Sequence, residues 1–169
     1  NIHLSDKLTR KGNFQEKGNL PSFFELYQKN VFILGFGRIG QAVAKRCLGF
    51  EMRVYVYDPY VSKGTIEKMG CHSISIEDGL KLADFVSVHL PLNDKTKNFI
   101  NAKNFQKMKD SCVIVNTARG GIINEQDLYN ALKDKNLRAA GLDVFEKEPP
   151  LPNHPLFNLS NVLLTPHNA

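Results

Sequence analysis

Val31-Phe32-Ile33-Leu34-Gly35-Phe36-Gly37-Arg38-Ile39-Gly40 is the stretch that decides the fold of this chain. A short apolar run of strand character meets a turn with glycines spaced G-x-G-x-x-G. Apolar residues then recur at Ile39, Val43, Cys47 and Phe50, the spacing of one helix face. Glycines at this spacing arise by chance. Here a strand precedes them, a helix follows, and Asp58 closes the next strand-like run, which together point to a dinucleotide site. Gly35 lets the chain leave the strand sharply, Gly37 admits a pyrophosphate close to the backbone, and Gly40 lets the helix pack on the sheet. The first N–H groups of that helix are unpaired and face the phosphates.

The end of the second strand bears on cofactor choice. A carboxylate at Asp58 accepts hydrogen bonds from the adenosine ribose hydroxyls and repels the extra phosphate of NADP. Pro59 and Tyr60 follow it, and the nearest basic residue downstream is Lys63. NAD(H) is therefore preferred over NADP(H).

Strand and helix signals alternate along the rest of the chain. Strands are expected at 31–35, 53–57, 74–76, 85–89, 113–116, 138–144 and 162–164. Helices are expected after Ile39, at 64–69, from 77 to 83, at 102–108 and at 125–134, where Asn124 is a good N-cap and Leu128 and Leu132 share a face. Near-continuous apolar strands between helices imply a doubly wound parallel α/β sheet covered on both faces, a Rossmann domain spanning 31–169. Residues 1–30 read as an N-terminal arm and connecting helix: a short helix over His3 to Lys11, breaks at Gly12, Gly18 and Pro21, then Ser22 to Gln28.

Bulk properties exclude several function classes. The 169 residues suffice for one domain, and no apolar run approaches the ~18–20 residues of a membrane helix. The formal net charge of +5 comes without a dense basic block, so no nucleic-acid partner is expected, although a basic surface suits anionic ligands. Cys47, Cys71 and Cys112 are odd in number and lack paired metal-ligand spacing. No metal site is expected, and the thiols read as those of a reducing compartment, the cytoplasm. The abrupt start at Asn1 and stop after a motif suggest a piece of a longer protein.

The remaining motifs put polar groups at strand ends, where open α/β sheets bind ligands. They are His89-Leu90-Pro91 with Thr96, Asn116-Thr117-Ala118-Arg119-Gly120-Gly121, Gly141-Leu142-Asp143-Val144-Phe145-Glu146-Lys147-Glu148-Pro149, and Thr165-Pro166-His167. With the glycine turn, this ordered set closely resembles the D-isomer-specific 2-hydroxyacid dehydrogenases, a family that includes phosphoglycerate dehydrogenases, glyoxylate/hydroxypyruvate reductases and D-lactate dehydrogenases. The resemblance covers residues 31–169 and extends to the arm before the glycine turn.

That resemblance implies roles position by position. Arg119 matches the arginine that grips the substrate carboxylate, a task suited to a planar fork. His167 matches the catalytic acid/base and Glu148 its acidic partner. Arg38 and Ile39 match pyrophosphate-contacting positions within the Gly35, Gly37 and Gly40 turn, and Asp58 matches the ribose carboxylate. His89, Leu90, Pro91, Thr96, Thr117, Ala118 and Asp143 fall at cofactor-lining positions, Thr117, Ala118 and Asp143 on the nicotinamide side, with Arg119 and His167 beside them. The implied reaction moves hydride between NAD(H) and C2 of a small 2-hydroxy/2-oxo acid. As charge builds on the carbonyl oxygen, an imidazolium beside a carboxylate is a suitable proton donor.

Taken singly, Arg119 is equally a surface arginine on a turn, Asp143 and Glu148 are solvated loop carboxylates, and His89 a strand terminator. Their joint order carries the reading. His3, His72 and His154 lie in no motif and receive no role. Full-length relatives carry a substrate domain built from segments before and after this one, so one wall of the cleft lies outside this chain. The resemblance also implies a homodimer through the arm, where Phe14 stands at a position often occupied by tryptophan. One other function class shares the motifs, the NAD(H)-sensing corepressor-type scaffold. Glu148 argues against the formate dehydrogenases, which carry glutamine there.

Overall fold

Alternate residues of the first strand face opposite ways, and both faces are apolar. In β1 (Asn30–Leu34), Phe32 and Leu34 enter one core and Val31 and Ile33 the other, all of them buried. A strand buried on both sides belongs in the centre of a sheet with helices on each face. The computed structural model, which describes residues 2–19 and 25–169, has this arrangement.

The arm contributes α1 (Ile2–Arg10) and a 3-10 turn (Phe14–Asn19). After β1 come α2 (Arg38–Gly49), β2 (Arg53–Tyr57), α3 (Lys63–Lys68), β3 (His72–Ser73), α4 (Ile76–Leu82) and β4 (Phe85–Val88). The second half runs α5 (Ala102–Phe105), β5 (Val113–Asn116), α6 (Glu125–Lys133), β6 (Ala139–Leu142), a 3-10 turn (Pro155–Asn158) and β7 (Val162–Leu164). The seven strands form one parallel sheet in the order β3-β2-β1-β4-β5-β6-β7. This is the doubly wound order with one strand added. Ala44 of α2 and Ile66 of α3 pack with Val54 and Val56 on one face. Leu128, Ala131 and Leu132 of α6 pack with Val86, Val88 and Ile114 on the other.

The expected strands and helices after the arm are present with two local corrections. The third strand is His72–Ser73 rather than 74–76, and Ile76 opens a helix instead. Ser75 explains the shift: its hydroxyl accepts the Asp78 N–H at 3.1 Å and meets the Asp78 carboxylate at 2.7 Å. That N-cap outweighs the apolar alternation of Ile74 and Ile76. The expected helix at 102–108 shortens to Ala102–Phe105, held by a capping box between Asn101 and Asn104. Of the connecting helix expected over Ser22 to Gln28, residues 20–24 lie outside the described residues. Residues 25–28 are not helical; the Lys29 N–H closes a turn on the Leu26 carbonyl at 3.0 Å.

The glycine turn is a contact between backbones. A Cβ on Gly40 would overlap the Gly35 carbonyl oxygen, and one on Gly35 would come within 2.6 Å of the His89 carbonyl oxygen. Gly37 has nothing within 4 Å of the same hypothetical atom. Two glycines let α2 and the β4 loop close on β1, and the third leaves open space at the helix start. Gly40→Ala is expected to destabilise the chain by about 1–3 kcal/mol, since only backbone could yield. Thermal unfolding should show the midpoint fall by several degrees; an unchanged midpoint would mean the turn can open without loss.

Candidate active site

Because all seven strands are parallel, every loop after a strand emerges at one edge of the sheet. The order reverses between β1 and β4, and a crevice opens outside their carboxyl ends. There a cleft of about 650 Å³ is lined by Ile39, His89, Leu90, Pro91, Leu92, Thr117, Ala118 and Arg119. Seven of these eight come from loops after β4 and β5; Ile39 comes from the first turn of α2, and its apolar side chain is 65% exposed.

The donors fit a bound dinucleotide. Gly37 caps α2 without any side-chain bond, so the helix presents its first N–H groups toward open space, an anion site. Arg38, exposed, is the first residue of that helix. Asp58 ends β2 with both oxygens oriented: Oδ2 accepts the Phe36 N–H at 2.7 Å and Oδ1 the Tyr60 N–H at 2.8 Å. The carboxylate is thus fastened to the glycine turn itself, with lone pairs left for a diol.

Beside this, Ser87 Oγ and His89 Nε2 lie 2.8 Å apart, and burial pushes the His89 imidazole below its ordinary range, so it stays neutral around pH 7. Thr96 is not among the residues lining the cleft. Its hydroxyl closes its own loop, donating to the Pro91 carbonyl at 2.5 Å and accepting the Asn93 N–H at 2.8 Å. Leu92, which sequence reasoning passed over, lines the cleft where Thr96 does not. No local signal separated the two.

Arg119 hangs on a turn that buried Asn116 pins from below. The Asn116 amide donates to the Arg119 carbonyl at 2.9 Å and its Oδ1 accepts the Ala118 N–H at 3.0 Å. The exposed guanidinium donates to the Ala118 carbonyl at 2.6 Å, and among the described residues it pairs with no carboxylate. Gly120 then lies against the backbone of Phe145, where any Cβ would overlap the Phe145 carbonyl. The Arg119 turn is thereby seated on the loop that carries Glu148.

His167 and Glu148 are joined directly, Nδ1 to Oε2 at 2.7 Å, and the Phe145 N–H donates to Glu148 Oε1 at 3.0 Å. The bond from His167, and next that from the Phe145 N–H, hold the Glu148 carboxyl below the usual carboxylate range. The pair borders a second, mainly apolar cavity of about 390 Å³ with Phe145, Pro149, Phe157, Leu164 and Pro166. Arg119 lies in the first cavity and His167 in the second, so the described residues do not enclose both in one pocket.

Asp143 lines neither cavity. It is buried, 2% exposed, and its carboxylate collects the end of the chain. Oδ1 accepts the Thr165 hydroxyl at 2.5 Å and the Asn168 N–H at 3.1 Å, while Oδ2 accepts the Ala169 N–H at 2.9 Å. The His167 N–H bonds the Asp143 carbonyl at 2.8 Å, with His167 itself at φ +52°. The nicotinamide-side position expected for Asp143 is thus also an anchor on both sides of His167. The Thr165 hydroxyl, then the Ala169 N–H, hold its carboxyl below the ordinary range.

Comparison with known proteins agrees with this fold. The family model described as D-isomer specific 2-hydroxyacid dehydrogenase, NAD binding domain, matches residues 1–169. The chain is 42% identical over 168 residues to a D-3-phosphoglycerate dehydrogenase of Archaeoglobus fulgidus, covering 99% of this chain and 32% of that protein. It is 41% identical over 167 residues to a glyoxylate reductase of Korarchaeum cryptofilum, covering 98% of this chain and 50% of the other. A D-lactate dehydrogenase from Lactobacillus jensenii, solved with NAD+, superposes with a TM-score of 0.83 at 30% identity, over 98% of this chain and 53% of that one. The chain therefore spans a third to a half of the length of these relatives.

The lowered carboxyls set the pH behaviour of the site. A carboxyl that titrates lower folded than unfolded stabilises the fold fully above its unfolded pKa, and that contribution is lost as pH falls through the folded value. Amide chemical shifts of Asn168 and Ala169 should therefore report Asp143 with a midpoint below 3.8, and Phe145 should report Glu148 with one below 4.5. Midpoints at or above those values would show that the anchors are not formed in solution.

Proposed function

Because this chain belongs to the D-isomer specific 2-hydroxyacid dehydrogenase family, as its NAD-binding domain, we propose that the full-length protein transfers hydride between NAD(H) and a D-2-hydroxyacid/2-oxoacid pair. The observation that carries this reading is the 2.7 Å bond between His167 and Glu148 on the sheet edge that also holds the glycine turn. Residues 1–30 serve as the arm and residues 31–169 as the dinucleotide-binding unit.

Bound NADH supplies the hydride; the chain supplies position and protons. The Arg119 guanidinium, not engaged by a described carboxylate, holds the substrate carboxylate and so sets the face of the carbonyl. His167 Nδ1 is taken by Glu148, which leaves Nε2 to deliver a proton to the carbonyl oxygen, while the carboxylate stabilises the imidazolium and fixes the ring. Gly37, Arg38 and Ile39 receive the pyrophosphate, and Leu90, Pro91, Thr117 and Ala118 form the wall facing the nicotinamide end. Asp58, already oriented by two N–H groups, favours NAD(H) over NADP(H) by repelling a 2′-phosphate.

Exposed apolar side chains in the arm, Ile2 at 86% and Phe14 at 62%, suit a homodimer interface. Two of the three thiols are buried and all are free, Cys112 being pushed up by burial to about 12, which suits a reducing cytoplasm. The corepressor-type scaffold is the second class, and turnover separates the two.

The test is NADH oxidation by the full-length protein with glyoxylate, hydroxypyruvate, pyruvate and phosphohydroxypyruvate side by side. Turnover is expected with at least one, and His167→Gln should lower kcat by roughly 10²–10⁴-fold. Gly37→Ala should weaken NADH binding while leaving the thermal midpoint unchanged, because its Cβ meets only open space. NADH binding without turnover of any 2-oxo acid would favour the scaffold, and equal affinity for NADPH would remove the role given to Asp58.

A further inference from the structure

Neither Glu148 nor His167 is packed into place. Their side chains are 35% and 48% exposed, so the geometry of the pair is inherited from the segments that carry it. Asp143 and the backbone account for the His167 segment. The segment carrying Glu148 leaves β6, makes a long excursion outside the sheet, and returns only at β7.

What holds that excursion is a half-buried carboxylate on α6. Glu125 is the first residue of that helix and its side chain is 15% exposed. Its Oε1 accepts the Glu146 N–H at 2.6 Å, and its own N–H donates to Glu146 Oε1 at 3.0 Å. Its Oε2 meets His154 Nε2 at 3.0 Å, and that ring is 16% exposed. The Leu156 N–H points at His154 Nδ1, at 3.4 Å, which marks Nδ1 as the acceptor and Nε2–H as the donor to Glu125. Phe145, whose N–H holds Glu148, packs edge-on against the His154 ring at 5.8 Å and against Phe157 at 6.1 Å. One carboxylate therefore fastens the loop on both sides of Glu148, at residue 146 and at residue 154. The helix bearing it is anchored through Leu128, Ala131 and Leu132.

We propose that Glu125 and His154 form a half-buried positioning pair that sets Glu148 against His167. Neither residue lines the cavities described above, so the pair acts through the loop and not on substrate. Its consequence for turnover rests on the reading of His167 as the acid/base. A small displacement of a catalytic group is enough: roughly 1 Å costs on the order of 10²-fold in rate.

The experiment compares His154→Ala, Glu125→Gln and the conservative His154→Gln in the full-length protein. Leu137→Ala, a fully buried core truncation, serves as the control for stability alone. The first readout is the imidazole ¹⁵N signal of His167, which reports its Nδ1 bond to a carboxylate whether or not the protein turns over. His154→Ala and Glu125→Gln should shift this signal and lower kcat roughly 10- to 100-fold with KM for NADH unchanged. His154→Gln, which keeps a donor near Nε2, should restore both. Leu137→Ala should lower the thermal midpoint and leave the His167 signal alone. A His167 signal in His154→Ala indistinguishable from that of the unmutated protein overturns the pair, whatever the melting temperature does. A signal that responds in a protein inactive toward every 2-oxo acid supports the pair and defeats the proposed function instead.

Discussion

Parallel pairing of β1 with both β2 and β4 is the constraint on which the rest of the structure depends. Parallel neighbours cannot be joined by a tight turn, so each connection crosses a face of the sheet, and each strand delivers its loop to the same edge. Six stretches far apart in sequence thereby converge: the glycine turn, Asp58, the His89 loop, the Arg119 turn, the Glu148 loop and the Thr165–His167 segment. The close approach of α2 follows from the same pairing. Its first turn lies over Gly35 with no room for a side chain at Gly40, while the β4 loop presses on Gly35 from the other side.

Carboxylates organise this edge by accepting backbone N–H groups. Asp58 takes those of Phe36 and Tyr60, Asp143 those of Asn168 and Ala169, Glu148 that of Phe145, and Glu125 that of Glu146. Loops outside a sheet have no ladder to satisfy their N–H groups, and a charged acceptor makes a stronger bond than a neutral one. In each case a second bond runs to another element or side chain. The same carboxylate that satisfies a loop thus also fixes where that loop lies. Glu148 is the case closest to chemistry, since its second oxygen holds His167.

Division of the candidate site between two cavities has a plain reading in terms of the relatives. Arg119 faces the cleft beside the glycine turn, while His167 and Glu148 border an apolar hollow. The chain spans only part of the length of the proteins it matches, and the proposed function calls for a further domain across this edge. In the proposed reaction that domain would join the two cavities and exclude water, which strengthens the hold of Arg119 on a carboxylate.

The amino-acid order alone determined the α/β class, the doubly wound sheet and the family. These follow from local signals: apolar strands, helix-period stretches, a glycine turn and motifs in a set order. It also marked Arg119, Asp58 and the Glu148/His167 combination, because each lies in a recognisable short motif. Where local chemistry competed, the outcome was not legible: Ser75 capped a helix where Ile74 and Ile76 suggested a strand. Tertiary structure alone decided that Thr96 closes its own loop, that Asp143 anchors the His167 segment, and that Glu125 meets His154, 29 residues further along. The physical reason is that such bonds depend on which loops the sheet brings together, and neither partner carries a sign of the other in its own neighbourhood.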